Sequence, residues 1–302
     1  MRRSGNVVTR LVSSRPLKKA ARESESVREL AQQWFAGELI TDAVFLAEKL
    51  RRQGLSLSFH HLPAHGDELA TVTQLPSLLR ALGSGAEGVE LSIKPSTMGL
   101  RVSADLAREN LSSVCAAADE HDAFVTLEMQ RPEEYAATLE LFRAVRADRP
   151  HLGVTIPVNV RRAEADCQDL AAEGARVRVC VGSYAVPRAL AVRGEHAKAR
   201  ALVRCLRVLM ESHAHPMLAT HDPRVIAIAQ DLAQRNNKGR DDFEFQMMLG
   251  VRPLEQRRLV DIGFRARTYI PFGPAWYEYL ATRIAARPRT LLSYGRALLD
   301  KR

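Results

Sequence analysis

Eight short runs rich in apolar and β-branched residues recur along the chain, each separated from the next by polar sequence. They are "LSLSFHHL" (55–62), "VELSIKP" (89–95), "FVTLEMQ" (124–130), "GVTIPVNV" (153–160), "RVRVCVGS" (176–183), "PMLATHD" (216–222), "FEFQMML" (243–249) and "RARTYIPFG" (265–273). Most of the intervals are long enough for a helix, as in "EEYAATLELFRAVRADR" and "EHAKARALVRCLRVLMESH". Strand–helix alternation predicts parallel pairing through right-handed crossovers. Eight such units in roughly 250 residues predict a (β/α)8 barrel. An open doubly wound sheet is the competing arrangement, but no GxGxxG follows the first strand. Residues 1–50 read as an N-terminal helical arm, largely through "SVRELAQQWFAGELITDAVFLAEKLRRQG", and residues 51–302 as the barrel.

In this fold, function gathers where the strands end at their C-terminal side. The positions to inspect are therefore His60, His61, Lys94, Glu128, Met129, Asn159, Gly182, Tyr184, Thr220, His221, Gln246 and Tyr269. A last helix, "WYEYLATRIAARP" (276–288), follows the eighth strand after only "GPA". So short a link keeps it over the barrel mouth. At helical spacing Trp276, Tyr279, Leu280, Arg283 and Arg287 share one face, which mixes rings with guanidinium groups.

Composition narrows the setting. The 302 residues are 46% hydrophobic and 26% charged, with no apolar run of membrane-span length. Cys115, Cys167, Cys180 and Cys205 are widely spaced and form no CxxC, which argues against a disulfide framework or cysteine zinc site and for a reducing cytoplasm. The net charge of +9 is concentrated in the first 22 residues and after Arg283. Nucleic-acid binding is not expected, because no stacking motif or zinc module accompanies the charge. A solvated basic arm and a peripheral contact with an anionic membrane surface both remain open readings.

Several chemistries compete at the strand ends. His60, His61, His65 and His221 invite a metal reading. The eighth strand carries no aspartate to ligate or act as base, so solvated loop histidines are the plainer expectation and no metal site is assigned. Lys94, in "LSIKPS", is a candidate nucleophile or electrostatic anchor with Glu128 as its neighbour. "VGSY" (181–184), with Arg178 before it, offers a small turn and a charge for a phosphate or a flat ring.

Taken in order, "FAGE" (35–38), "LSIKPS", "VTLEM", "RVRVCVGSY", "LATHD", "FEFQMMLGVR" and "YIPFGPAWYEYLATRIAARP" resemble the monofunctional bacterial proline dehydrogenases over nearly the whole chain. The resemblance implies a distorted (β/α)8 barrel that binds FAD and oxidises L-proline, or a proline-like cyclic amine, to the corresponding pyrroline by hydride transfer to flavin N5. It also implies a quinone or other electron acceptor. The cysteines and the basic termini add the expectation of a cytoplasmic enzyme, with a peripheral contact at the inner face of the membrane as the open alternative to a solvated arm. By the same resemblance Lys94, Glu128, Arg178, Tyr269, Tyr279 and Arg283 are the catalytic set, with Lys94, Thr282 and Arg283 against the substrate. The cofactor set is Glu128, Met129, Pro157, Arg178, Val181, Gly182, Ser183, Tyr184, Thr220 and His221.

The departures concern the same places. Thr282 stands where the family has the first arginine of a carboxylate clamp, and Glu128 replaces an aspartate. Pro157 replaces a flavin-contacting glutamine, Val181 a lysine, and Ala286 a glutamate. A neutral Thr cannot supply half of a bidentate guanidinium pair, so a cyclic amine with a masked carboxyl is an expected alternative substrate. A barrel impaired in catalysis that serves as a binding or regulatory protein is the alternative from another class.

Overall fold

The computed structural model describes residues 24–286. Two helices, α1 (Glu25–Ala31) and α2 (Ile40–Arg51), precede eight strand–helix units. The first four are β1 (Ser56–His61) with α3 (Thr71–Leu82), β2 (Glu90–Ile93) with α4 (Ala104–Asp119), β3 (Phe124–Leu127) with α5 (Tyr135–Arg146), and β4 (Gly153–Pro157) with α6 (Ala163–Ala172). The rest are β5 (Arg176–Cys180) with α7 (Glu195–Met210), β6 (His215–Ala219) with α8 (Pro223–Arg235), β7 (Glu244–Met248) with α9 (Pro253–Asp261), and β8 (Ala266–Phe272) with α10 (Trp276–Ala286). Neighbours in sequence pair in parallel, and β8 closes on β1 from Ser56–Arg267 to His61–Phe272, so the sheet is a closed barrel. Seven of the eight anticipated runs contain a whole strand, and β6 begins at His215, one residue before its run. The strands are shorter than the runs because Lys94, Glu128 and Gly182 have already left the ladder for the loops.

The strand alternation assigns two environments. Leu57, Phe59, Leu91, Ile93, Val125, Leu127, Val154, Ile156, Val177 and Val179 are buried in one cluster with Leu75, Leu78 and Leu79 of α3, Leu111 and Val114 of α4, and Leu206 and Leu209 of α7. The intervening positions carry Ser58, Glu90, Ser92, Thr126, Arg178, Glu244, Gln246 and Arg267, also buried. Some of their hydrogen bonds run between non-adjacent strands, as from Gln246 on β7 and Arg178 on β5 to Glu90 on β2, which places them inside the barrel. The barrel interior is thus polar and charged, and the apolar core lies between strands and helices.

The helical stretch read across residues 26–54 is broken between α1 and α2. At Gly37 the backbone takes φ +138°, and a Cβ there would sit 2.3 Å from the Asp42 carboxylate. That carboxylate accepts the Leu39 N–H at 3.0 Å and starts α2. Ala43, Ala47 and Leu50 of α2 join the barrel's apolar cluster. Residues 34–39 cross the barrel end instead, through Ala36 N–H to Pro271 O at 2.8 Å and Gly273 N–H to Gly37 O at 2.9 Å.

Candidate active site

A cavity of about 3620 Å³ lies at the C-terminal ends of the strands, roofed by α1 and α10. Lys94, Glu128, Arg178, Tyr269, Tyr279, Thr282 and Arg283 line it, as do Met129, Pro157, Val181, Gly182, Ser183, Tyr184, Thr220 and His221. All the residues singled out in the sequence for substrate and cofactor thus face one space. The periodicity that brings them together is the strand-end rule of this architecture.

The floor of the cavity is a hydrogen-bonded column. Arg178 is almost fully buried (4% exposed) and donates to Gln246 Oε1 at 2.6 Å, Ser92 Oγ at 2.7 Å, Thr155 Oγ1 at 3.5 Å and the Glu90 carboxylate. Gln246 donates on to Glu244 at 2.6 Å, and Glu244 forms a two-pronged pair with Arg267 at 2.7 and 2.9 Å. Burial opposes ionisation of Glu90, but Arg178 and Arg267 outweigh it and hold the carboxyl below its ordinary value. Arg178 therefore has its donors committed inside the barrel, and reaches the mouth through Ser92.

At the mouth, Glu128 Oε1 accepts from Ser92 Oγ at 2.9 Å and from the Tyr269 hydroxyl at 2.7 Å. Burial works against its charge, yet the surrounding His60, Lys94, Arg178 and the Tyr269 hydrogen bond bring the carboxyl down to about 2. Burial and the facing Glu128 push the Tyr269 phenol well up, so it remains a donor. Lys94 is lowered, chiefly by burial and further by Arg283, while Glu128 opposes that shift.

The histidines do not behave as solvated loop residues. His60 and His61 are buried, at 1% and 5% exposed, whereas His65 projects into solvent. His61 Nδ1 lies 3.0 Å from Thr71 Oγ1. His60 Nδ1 lies 2.9 Å from Ser92 O and 3.5 Å from Glu128 Oε1, and its ring stacks on Tyr269 at 5.7 Å. Among the described residues no three His, Cys, Asp or Glu side chains group as metal ligands.

Opposite the column, the turn after β5 forms a second wall. Asn159 donates through Nδ2 to the carbonyls of Gly182 at 3.4 Å and Tyr184 at 3.3 Å. A Cβ on Gly182 would meet Asn159 Oδ1 at 2.2 Å and Pro157 Cβ at 2.8 Å. The glycine is therefore required by the protein's own packing, a reason separate from the close ligand approach anticipated for it. His221 Nε2 accepts the Met248 N–H at 3.0 Å, tying the loop after β6 to β7. Thr220 Oγ1 accepts the Asp222 N–H at 3.3 Å. Burial pushes the cavity-lining Cys180 thiol up to about 11, so it is not poised as a nucleophile.

The roof divides the face read on the last helix. Trp276 is buried, stacks on Phe35 at 5.0 Å and donates to Glu38 at 2.8 Å, so it fastens α10 to the "FAGE" segment. Tyr279 and Arg283 continue over the cavity, with the Arg283 guanidinium 4.9 Å from the Tyr279 ring and in contact with Met248 Sδ. The Thr282 hydroxyl turns back to Glu278 O at 2.8 Å. Arg287 lies outside the described residues, as do the basic segments 1–22 and 290–302, and nothing is described of the Ala286 side chain.

Sequence reasoning passed over Glu90 and Ser92 as site residues, and placed Asn159 among the strand-end positions without giving it a role. The signal was present for both: Glu90 and Ser92 alternate within "VELSIKP" and share the inward face of β2, with Lys94 following at the same spacing just past its end.

The proline dehydrogenase family model matches residues 196–284, which hold β6 to β8 and most of α10. Proline dehydrogenase 1 of Bacillus subtilis is 28% identical over 275 residues, covering 90% of this chain and 91% of that one. A proline dehydrogenase of Deinococcus radiodurans is 29% identical over 269 residues, covering 86% and 87%. Among solved structures, proline utilization A from Bdellovibrio bacteriovorus, inactivated by N-propargylglycine, superposes with a TM-score of 0.77 at 20% identity. That match covers 85% of this chain but 32% of the other, so this chain spans about a third of that larger protein, and the likeness is one of fold.

Proposed function

We infer that this chain, which belongs to the proline dehydrogenase family, oxidises L-proline or a proline-like cyclic amine to the corresponding pyrroline, with FAD as its cofactor. The observation that carries the reading is the meeting of Lys94, Glu128, Tyr269, Tyr279 and Arg283 around one end of a cavity that also takes in Gly182, Tyr184, Thr220 and His221. The same cavity includes Arg188, Arg193, Lys198 and Arg200. Its extent and these cations suit a dinucleotide with a pyrophosphate.

Bound there, FAD would supply the two-electron acceptor chemistry. The chain's own groups bind and orient the amine. Lys94 and Arg283 would take an anionic substrate group, and their mutual repulsion, which helps to lower Lys94, is relieved when an anion sits between them. The Tyr279 ring, backed by Arg283, would pack on the saturated ring. Glu128 and Tyr269, locked to each other, would face its nitrogen side as a fixed acceptor. The α10 roof would limit the access of water to this end of the cavity.

The discriminating experiment is to saturate the purified protein with FAD and follow flavin absorbance as L-proline, proline esters and amides, and other cyclic amines are added. Bleaching by any of these supports the reading and ranks the substrates. A protein that takes up no FAD would favour a binding or regulatory role. Reduced protein is proposed to pass its electrons to a quinone. A peripheral contact through the basic terminal segments would bring it to a bilayer-dissolved acceptor. Sedimentation with anionic liposomes at low and high salt checks that contact, and protein left in the supernatant at low salt would refute it. Among the described residues no helix is long and apolar enough to cross a membrane.

A further inference from the structure

We propose that His60 is a positioning residue for the site: its Nδ1–H edge and its ring face together hold the Glu128 carboxylate and the Tyr269 phenol in one arrangement. The activity arm of the test rests on the reaction inferred above. The spectroscopic arm does not.

His60 is the penultimate residue of β1 and is buried just beneath the cavity wall. Its Nδ1 lies 2.9 Å from Ser92 O, a group that can only accept, so Nδ1 carries the ring hydrogen. The same edge faces Glu128 Oε1 at 3.5 Å. That oxygen already accepts from Ser92 Oγ and the Tyr269 hydroxyl, and the imidazole, its one hydrogen given to Ser92 O, turns the positive N–H edge of its ring toward the same carboxylate oxygen. The ring face does a second task. It lies against Tyr269 with the ring centroids 5.7 Å apart and the planes meeting at 22°, and so limits how far the phenol can swing from Glu128.

A packing role alone does not account for this residue. His60 Nε2 is buried with no partner, which costs about 1–3 kcal/mol. An apolar side chain of similar shape would avoid that cost, but could neither donate to Ser92 O nor set a positive N–H edge beside Glu128. Burial, with smaller contributions from Lys94 and His61, brings the ring down to about 4 against the opposing pull of Glu128 and the Ser92 hydrogen bond, so it is neutral at neutral pH. A neutral donor steadies the carboxylate without adding a charge that would compete with Lys94 for it.

Full-length protein labelled with 15N-histidine and supplied with FAD is followed by NMR, with His60→Asn identifying the His60 signals. The expected result is the Nδ1–H tautomer, with no titration around the ordinary histidine value of about 6.5. In turnover of the best cyclic amine, His60→Leu should lower kcat/KM about tenfold or more. His60→Asn, whose side-chain N–H falls near the place of Nδ1, should recover most of that loss. In a Glu128→Gln background, His60→Leu should cost little more, because residues sharing one task are not additive. An Nε2–H tautomer, an ordinary titration, or a His60→Leu loss of equal size in both backgrounds would overturn the proposal. If wild-type protein oxidises no cyclic amine, the functional reading falls and the tautomer measurement still decides this one; it decides likewise if His60→Leu does not fold.

Discussion

Arg283 and Thr282 occupy adjacent positions on the roof but face different duties. The Arg283 guanidinium lies over Tyr279 on the cavity wall, whereas the Thr282 hydroxyl is satisfied by Glu278 O within its own helix. A substrate carboxylate would therefore meet one guanidinium from α10, with Lys94 as the second cation. Arg283→Ala should lower kcat/KM at least about tenfold, or about 1.4 kcal/mol of transition-state binding; an unchanged value with the best substrate would remove Arg283 from the site. Thr282→Arg should raise the rate with L-proline by restoring a two-pronged cationic edge, measured with a dye acceptor at saturating FAD. No gain in a variant that still binds flavin would place the limitation elsewhere, with Glu128 or Pro157 the first positions to examine. Residue identity at the strand ends made Lys94, Glu128 and Tyr269 legible before any fold was known. The commitment of Arg178 to Glu90, Gln246 and Ser92 was not, because those partners come from strands far apart in sequence.

Among elements, the turn after β5 and the roof show how backbone shape sets the site. Gly182 leaves room for Asn159, which ties the turn's carbonyls to the end of β4. Gly182→Ala would force Asn159 or the turn to shift, a small-to-large change costing about 1–3 kcal/mol. FAD affinity, read from the ratio of flavin to protein absorbance during titration, should weaken about tenfold while the barrel remains folded. Unaltered FAD binding would show that this wall does not contact the cofactor. The roof depends on glycine in a different way. Gly273 takes φ +122°, and a Cβ would lie 2.6 Å from Leu62 O; Gly250 takes φ +73°, and a Cβ would lie 2.1 Å from Gln33 O. These close approaches let the arm segment reach Trp276. "FAGE" was visible as a motif, yet its role as the anchor of α10 emerges only once both ends of the chain meet.

At the scale of the molecule, the barrel encloses charges that must stay paired and histidines that must stay neutral. Burial is the main cause that brings His60, His61 and His215 each down to about 4. Their folded values lie below the unfolded value of about 6.5, so the unfolded chain takes up protons first as pH falls. Their contribution is fully present above about pH 6.5 and is lost as pH drops toward 4, at up to about 1.4 kcal/mol per pH unit for each histidine. Glu128 acts lower: its folded value of about 2 means that its contribution is present above its ordinary 4.5 and is lost as pH falls from there toward 2. Urea unfolding at a series of pH values should therefore show stability falling from about pH 6.5 downward rather than only below 4.5. A flat profile between about pH 7 and 5 would mean that these rings are solvated in the folded protein.

The chain's own pattern determined the barrel, because local alternation of strand and helix admits few topologies once crossovers are right-handed and connections short. It also determined which residue types stand at the mouth, since strand-end position follows from the same pattern. Tertiary structure alone decided how those residues are used. The closure of β8 on β1 brings Tyr269 beside His60 and across to Glu128. The barrel's curvature turns Glu90, Arg178 and Gln246 from separate strands into one hydrogen-bonded column. Such contacts span dozens to hundreds of residues of sequence, where local periodicity carries no information about which polar group will meet which.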